Sequence, residues 1–178
     1  MTSLNPFHGA LMALSLAAAV LFSPTEATAQ ETTPDRLTEV FGDWTVRCRT
    51  TDNGNDCRAQ QIRTRGDNNV RTLSLYLRTS GDGSRATVIV PLGVALPAGV
   101  TVKVGDDTVA QVAFAICRQA GCVAQMPLDE PMLSAFRAGT TGTVLVRAGN
   151  GSPVELPISL TGFTRAWERL SELEASAQ

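Results

Sequence analysis

Four cysteines are the residues best suited to chemistry in this 178-residue sequence: Cys48, Cys57, Cys117 and Cys122. Four cysteines allow three disulfide connectivities, and an even number favours pairing in an oxidising compartment. Turn-forming residues lie between the first two cysteines and again between the last two, as they do where two strands form a hairpin. We therefore predict two local disulfides, one joining Cys48 to Cys57 and one joining Cys117 to Cys122.

Two other uses of these cysteines fit the spacing less well. A structural zinc site usually carries its thiolates in C-x-x-C pairs, and thioredoxin-type redox pairs have the same spacing at the start of a helix. Neither pair here has that spacing, and Cys117 and Cys122 lie between strand-like segments. The sequence therefore predicts neither a metal nor another cofactor, although a thiol oxidoreductase stays open as a low-ranked alternative.

Histidine is absent from most of the chain. The only histidine, His8, lies in an N-terminal segment that we predict to be removed, and the only lysine is Lys103. Ser-His-Asp catalysis, Cys-His catalysis and His-ligated metals are therefore excluded from the mature part. A hydrolase with two carboxylates remains conceivable, and four residues are candidates for it: Asp43, Asp56, Asp129 and Glu130. The first three stand at turns or a helix start, where carboxylates cap backbone N–H groups, so we expect a protein without enzymatic activity.

Arginines form the other chemically notable pattern. Two Arg-x-Arg pairs, Arg47 with Arg49 and Arg63 with Arg65, fall on neighbouring predicted strands. If all four side chains point away from the apolar face, their guanidiniums form a stripe suited to carboxylates or phosphates. Trp44 is predicted in the core, or alternatively lines a shallow groove beside this stripe. An ordinary solvated sheet face is the alternative to a binding surface.

Short strands separated by turns must position these residues. Alternating apolar residues predict a half-buried strand from Trp44 to Arg49, and Leu73, Leu75 and Leu77 share one face of another. Similar patterns predict further strands, giving eight or nine in all: 58–64, 70–78, 85–92, 100–104, 109–117, 122–126, 143–147 and 154–160. Helical periodicity predicts two short helices, 129–139 and 162–170. Closely spaced strands with turn signals indicate an all-β fold, an antiparallel β-sandwich or partly closed barrel.

The N-terminal residues resemble a cleavable export signal. An apolar segment, 9–22, precedes Ala27-Thr28-Ala29, a small-x-small cleavage pattern. We predict a signal peptide at 1–29, a flexible segment at 30–40 and one β-domain at 41–172. Loss of Glu26 from the 17 acidic residues leaves 16 against 15 basic ones, a near-neutral balance that argues against a nucleic-acid partner. The apolar segment is shorter than the roughly 20 residues of a spanning helix, so we expect a product that does not span a membrane.

Several motifs in sequence resemble the invasion-associated locus B family of bacterial exported proteins. The resemblance covers about residues 37–170 and rests on Phe41-Gly42-Asp43-Trp44, the four cysteines, Val90-Pro91-Leu92-Gly93-Val94, Leu96-Pro97-Ala98-Gly99-Val100, Pro127-Leu128-Asp129 and Leu160-Thr161-Gly162-Phe163. It implies a β-sandwich-like fold and a periplasmic, envelope-associated or secreted location. In pathogenic members it implies a contribution to host-cell entry. It transfers no catalytic residue, only the cysteines as structural disulfides and the Trp44 motif as a fold element.

These observations together predict a non-enzymatic binding module of the periplasm or cell exterior. Its expected partner is a protein, glycan or lipid at the bacterial envelope or host surface. The alternative is an envelope-maintenance protein, chaperone-like or inhibitory, which would bind through an exposed strand edge.

Overall fold

Eleven strands and two helices make up the part of the chain that the computed structural model describes, residues 36–52 and 54–176. The strands are β1 Arg36–Phe41, β2 Trp44–Thr51, β3 Gly54–Arg65, β4 Val70–Ser80, β5 Gly83–Val90, β6 Val100–Val104, β7 Asp107–Val112, β8 Phe114–Arg118, β9 Gly121–Pro127, β10 Thr141–Arg147 and β11 Pro153–Ser159. The helices are α1 Glu130–Ala138 and α2 Phe163–Ala175, and a short 3-10 helix spans Leu96–Ala98. The predicted signal peptide lies outside the described residues.

The strands form two antiparallel sheets. The large sheet has seven strands in the order β1-β2-β3-β4-β5-β9-β8, and the small sheet has four in the order β11-β10-β6-β7. Only Ala113 separates β7 from β8, so the chain passes directly from the small sheet into the large one. Two facing antiparallel sheets with a shared corner confirm the predicted all-β sandwich.

The core lies between the sheets because one side of each strand is apolar. In the large sheet, β4 buries Leu73, Leu75 and Leu77, and the small sheet contributes buried Val144 and Ile158. We call the side of the large sheet that faces this core the inner face and the opposite side the outer face. Successive side chains of a strand point to opposite faces. Because the leucines at odd-numbered positions of β4 point to the inner face, the residues at the even-numbered positions between and after them point to the outer face.

Aromatic side chains from the helices fill the centre of the core. Phe163 of α2 packs edge-to-face against Trp44, with ring centroids 5.5 Å apart, and against Phe136 of α1 at 5.2 Å. Asp129 caps α1 by accepting a hydrogen bond from Met132 N at 3.1 Å, which confirms the predicted helix start. Helix α2 extends to Ala175, five residues beyond its predicted end.

A buried glutamine ties the two sheets together. Gln61 of β3 is 3% exposed, and its Oε1 accepts from Ser159 N of β11 at 2.8 Å while its Nε2 donates to Ser159 O at 3.0 Å. The same Nε2 donates to Asp43 O at 3.2 Å. Trp44 Nε1 also donates to Ser159 O, at 2.9 Å. One side chain therefore bonds both backbone groups of Ser159, a residue of the edge strand β11 in the other sheet.

The turn before Trp44 packs against the start of α2 through two glycines. Gly42 has φ +57° and a Cβ there would lie 2.6 Å from Thr161 O, while Gly162 has φ +86° and a Cβ there would collide with Phe41 O. Asp43 N donates to Thr161 O at 3.1 Å. The Phe41 to Trp44 motif is thus a packing element, in the role that the sequence resemblance implies.

Strand β1 corrects one expectation about the N-terminal segment. Residues 36–40 form most of β1, which pairs along its whole length with β2, so the prediction that 30–40 is flexible is wrong for that part. Arg169 of α2 fixes this strand by donating to Glu39 from Nε at 2.7 Å and Nη2 at 3.0 Å. The bonds to Glu39 raise the pKa of Arg169, so the guanidinium stays charged throughout the physiological range.

Candidate functional site

Both predicted disulfides are present. Cys48 is bonded to Cys57 and Cys117 to Cys122, and each pair joins directly opposite residues of neighbouring antiparallel strands, β2 with β3 and β8 with β9. Cys57 is 4% exposed and Cys122 is 2% exposed. The cysteines therefore act as clamps across two hairpins, and they fix the register of the strands beside them.

Trp44 does not line a groove. Its side chain is 0% exposed, because strand alternation directs it to the inner face, where Phe163 contacts its ring and Ser159 accepts from its indole N–H. The prediction that Trp44 belongs to the binding surface is therefore wrong, and the alternative prediction, that it lies in the core, is correct.

The four arginines of the predicted stripe do not come together. Arg47 and Arg49 are exposed on the outer face of β2. Arg63 and Arg65 lie near the far end of β3, in alternation with Ala59 and Gln61, and so belong to the opposite side of that strand. Arg63 is opposite Leu73 of β4 and has no pairing to β2. The expectation that all four point away from the core side is wrong for this second pair.

A different set of arginines does come together on the outer face. The register places Arg47 opposite Arg58, and Arg78 opposite Arg85. Gln60 of β3 is opposite Tyr76 of β4, and two residues from each of them the register places Arg58 opposite Arg78. The two arginine pairs therefore join into one row across four strands. One row away, Arg36 lies opposite Arg49. We call this set the basic array: Arg36, Arg47, Arg49, Arg58, Arg78 and Arg85.

One member of the basic array is ion-paired in the part of the chain that the structure describes. Asp56, opposite Arg49, forms an ion pair with Arg78, and it is the only carboxylate ion-paired with the array among the described residues. The six arginines and Asp56 together carry a formal charge of +5, whereas the whole chain carries −2. Three other carboxylates, Asp82, Asp129 and Glu174, line the depression next to Arg78 and Arg85, so the charge is densest at the opposite end of the array. The array is therefore a concentrated positive region on a mildly acidic protein.

Neighbouring side chains hold part of the array in place. Arg58 is half-buried; its Nε donates to Gln60 Oε1 at 3.1 Å, and its guanidinium lies 5.2 Å from the centroid of the Tyr76 ring, within range of a cation–π interaction. An open depression of about 320 Å³ lies among Arg36, Arg47, Arg49 and Arg58. It is large enough for an anionic group to approach several guanidiniums at once.

The candidate carboxylates take structural roles or stand apart. Asp129 caps α1, Asp56 pairs with Arg78, and Glu130 pairs with Arg137. Asp43 lies in the turn between β1 and β2, where its backbone contacts Thr161. Within 36–52 and 54–176, no group of three or more His, Cys, Asp or Glu side chains is placed to hold a metal ion. In the same part of the chain, no helix is long and apolar enough to cross a membrane.

Arg58 and Arg85 were not predicted as part of the binding surface, although the sequence contains the information needed to place them. A disulfide between directly opposite Cys48 and Cys57 places Arg47 opposite Arg58, since each lies one residue from its cysteine. A turn centred between Gly81 and Asp82 likewise places Arg78 opposite Arg85. The signal was therefore the register that the hairpins impose, rather than the Arg-x-Arg spacing.

Comparison with known proteins gives a consistent assignment. The family model for the invasion associated locus B (IalB) protein matches residues 44–171. An invasion protein B homolog of Brucella abortus (strain 2308) is 30% identical over 139 residues, covering 77% of this chain and 80% of that protein. Invasion protein B of Bartonella bacilliformis is 27% identical over 143 residues, covering 78% of this chain and 76% of that protein.

A solved structure supports the same relationship at the level of the fold. The crystal structure of invasion associated protein B from Bartonella henselae superposes with a TM-score of 0.73 at 23% sequence identity, covering 80% of this chain and 99% of that one. The family match extends from Trp44, at the start of β2, into the last turns of α2. The chain therefore belongs to the invasion associated locus B family.

Proposed function

We propose that the protein is an exported, non-enzymatic binding module whose basic array binds anionic groups on a partner at the bacterial envelope or the host surface. The observation that carries the proposal is a row of arginines, one of them ion-paired, across four adjacent strands: Arg47, Arg58, Arg78 and Arg85. A charge of this density on a near-neutral chain is explained more readily by a ligand than by solubility.

The chemistry of the array favours phosphate or carboxylate ligands. Guanidinium forms paired N–H···O bonds with these planar or tetrahedral anions, which lysine does not reproduce. Strands in a sheet lie about 4.8 Å apart, so neighbouring guanidiniums repel one another, and an anion placed between them relieves that repulsion. The strand backbones fix the spacing of the row, so binding a ligand orders the arginine side chains but not the backbone that carries them.

Location and biological role are part of the same proposal. Two disulfides favour an oxidising compartment, and the predicted signal peptide indicates export, so we place the protein in the periplasm or outside the cell. The relatives in Brucella and Bartonella are named for invasion. In members that serve host entry, the anionic partner would lie on the host cell, and in others it would lie within the envelope.

Two other functions have weaker support. A thiol oxidoreductase needs a sulfur open to attack, and burial of Cys57 and Cys122 supports a structural role for both disulfides instead. A chaperone-like protein would bind clients along an exposed strand edge; β1 ends the large sheet and Val40 on it is 69% exposed. Binding through that edge would not depend on Arg58 or Arg85, which lie on β3 and β5, away from β1.

A heparin column tests the proposal, because heparin is a soluble polyanion of sulfates and carboxylates. The variant Arg47→Gln/Arg49→Gln removes two charges from the array, and Arg63→Gln/Arg65→Gln removes the same number from the far end of β3. We expect the first variant to elute at clearly lower salt than wild type, since each lost phosphate-type contact reduces the salt dependence of binding. The second variant should elute close to wild type.

Equal shifts for the two variants would mean that net charge alone governs retention, and the proposal would fail. Failure of the wild-type protein to bind heparin at low salt would also refute it. The melting temperature of each variant serves as the folding control.

A further inference from the structure

An apolar row lies on the same outer face as the basic array. The register runs Ile62 opposite Ser74, Ser74 opposite Ile89, Ile89 opposite Val123, and Val123 opposite Ile116. Ile62 is 40% exposed and Ile116 is 46% exposed, whereas Ser74 is fully buried. We call these five residues the apolar row. It crosses five strands, two rows away from the arginine row that contains Arg47. Beyond it on the same face lie two exposed arginines, Arg71 opposite Thr64 of β3 and Arg118 two residues after Ile116.

A neutral row separates the apolar row from the arginines. Thr45 is opposite Gln60, Gln60 opposite Tyr76, Tyr76 opposite Thr87, and Thr87 opposite Gln125. Adjacent rows on one face are two residues apart, or about 6.8 Å. The apolar row and the arginine row containing Arg47 are thus separated by about 13–14 Å. Between the apolar row and the basic array, the outer face therefore changes from aliphatic, through polar with one tyrosine, to strongly cationic.

This gradient matches the chemistry of a membrane surface. In an acidic bilayer, phosphates lie at the surface and hydrocarbon lies a few ångströms deeper, with tyrosine favoured at the boundary between them. Lipids also move laterally, so acidic headgroups can adopt the spacing of the guanidiniums. An acidic glycan offers the charges but nothing for Ile62 and Ile116 to contact. A partner must therefore provide an apolar region for Ile62 and Ile116 as well as negative charges for the arginines.

We infer that the outer face of the large sheet docks on the surface of an acidic phospholipid membrane. This inference rests on the proposed function and names the partner of the same array. The basic array on one side of the apolar row, and Arg71 and Arg118 on the other, contact lipid phosphates, and the apolar row between them enters the boundary between headgroups and acyl chains. The protein stays peripheral, because a flat sheet face offers no segment that could span the bilayer.

The expected loss of membrane affinity can be estimated from the contribution of each arginine and each isoleucine. A basic side chain near an acidic membrane surface contributes about 1 kcal/mol, or about fivefold in affinity. Replacing four arginines should therefore weaken binding several-hundredfold, or to below detection, by the same rule. Ile62 and Ile116 each expose less than half of their surface; their partial burial corresponds to about five- to tenfold each.

Cosedimentation with vesicles of phosphatidylcholine containing phosphatidylglycerol tests the inference, and phosphatidylcholine vesicles give the uncharged comparison. The array variant is Arg47→Gln/Arg49→Gln/Arg58→Gln/Arg85→Gln. Its control replaces four exposed arginines that do not lie on the outer face: Arg63→Gln/Arg65→Gln/Arg147→Gln/Arg165→Gln. The apolar-row variant is Ile62→Ser/Ile116→Ser. Its control is Leu96→Ser, at a leucine that is 49% exposed and lies outside the large sheet.

We expect wild type to bind the acidic vesicles and not the neutral ones, with both surface variants weakened and both controls unchanged. Heparin retention distinguishes the two proposals, because the apolar-row variant should keep it in full. Wild type that binds heparin through the array but ignores acidic vesicles would overturn the membrane inference and leave the proposed function standing. Vesicle binding that the apolar-row variant retains in full would overturn the inference in the same way.

Discussion

Replacing Gln61 by leucine should be among the most damaging single changes to this fold. Leucine keeps a similar volume but removes all three hydrogen bonds that the amide makes to Ser159 and Asp43. At about 1 kcal/mol net per bond the loss is about 3 kcal/mol. Ser159 O keeps its bond from Trp44, whereas Ser159 N loses the partner that Gln61 provides. For a domain of about 150 residues, this corresponds to a melting temperature lower by about 6–12 °C.

Chemical denaturation with tryptophan fluorescence measures this loss, since Trp44 and Trp167 are both buried reporters. The matched control is Gln125→Leu, at an exposed glutamine of β9 on the outer face, for which we expect a change within about 0.5 kcal/mol. If Gln61→Leu proved as stable as the control, the idea that this side chain ties the sheets together would be refuted. The double variant with Trp44→Phe should show non-additive losses, because both side chains share one acceptor.

Three further outcomes concern stability. Gly162→Ala should destabilise by about 2–4 kcal/mol from a positive φ and a backbone collision, whereas Gly151→Ala, with the same kind of φ and open space, should cost about 1 kcal/mol; equal thermal shifts would contradict the packing argument. Removing the bridge between Cys48 and Cys57 by double alanine substitution should cost about 2–3 kcal/mol in urea unfolding for a loop of ten residues, and an unchanged midpoint would show that the clamp is dispensable. Arg169→Leu should cost only about 1 kcal/mol but speed amide hydrogen exchange selectively in β1; uniform exchange rates across the large sheet would contradict its local role.

Most of the fold could be predicted from local signals. Alternation in β2 and β4, the Asp129 cap and the Gly139 stop of α1 each depend on residues close in sequence, and the structure agrees with them. Strand β1 was missed because its inward side includes the polar Glu39 and its outward side the apolar Val40, so the sequence shows no alternation of apolar and polar residues there. Glu39 is bonded by Arg169, 130 residues away, which no local pattern indicates. Gln61 was missed for the same reason: a buried amide is recognisable only from the strand end that it satisfies.

The binding surface could be predicted only in part. Arg47 and Arg49 were identified correctly as outward-facing, but Arg63 follows Cys57 by six residues and must share its side of an uninterrupted strand. A disulfide to Cys48, on the apolar face of β2, requires Cys57 to point inward, so the prediction that Arg63 points outward was inconsistent with it. Alignment of Arg58 with Arg78 depends on an irregularity in the pairing of β3 with β4 beyond Arg63, which no local pattern indicates. Charge spacing along one strand is thus a weaker guide than register between strands.

We propose that the basic array is the surface of this protein that binds an anionic partner. Titration of the ¹⁵N-labelled domain with inositol hexakisphosphate, followed through the arginine side-chain Nε–Hε resonances, tests it without any substitution. We expect the resonances of four array arginines to shift together at low ligand concentration, those of Arg47, Arg49, Arg58 and Arg85. The resonances of Arg63 and Arg65 should stay unchanged. Shifts of equal size at Arg63 and Arg65, or none at the array, would contradict it.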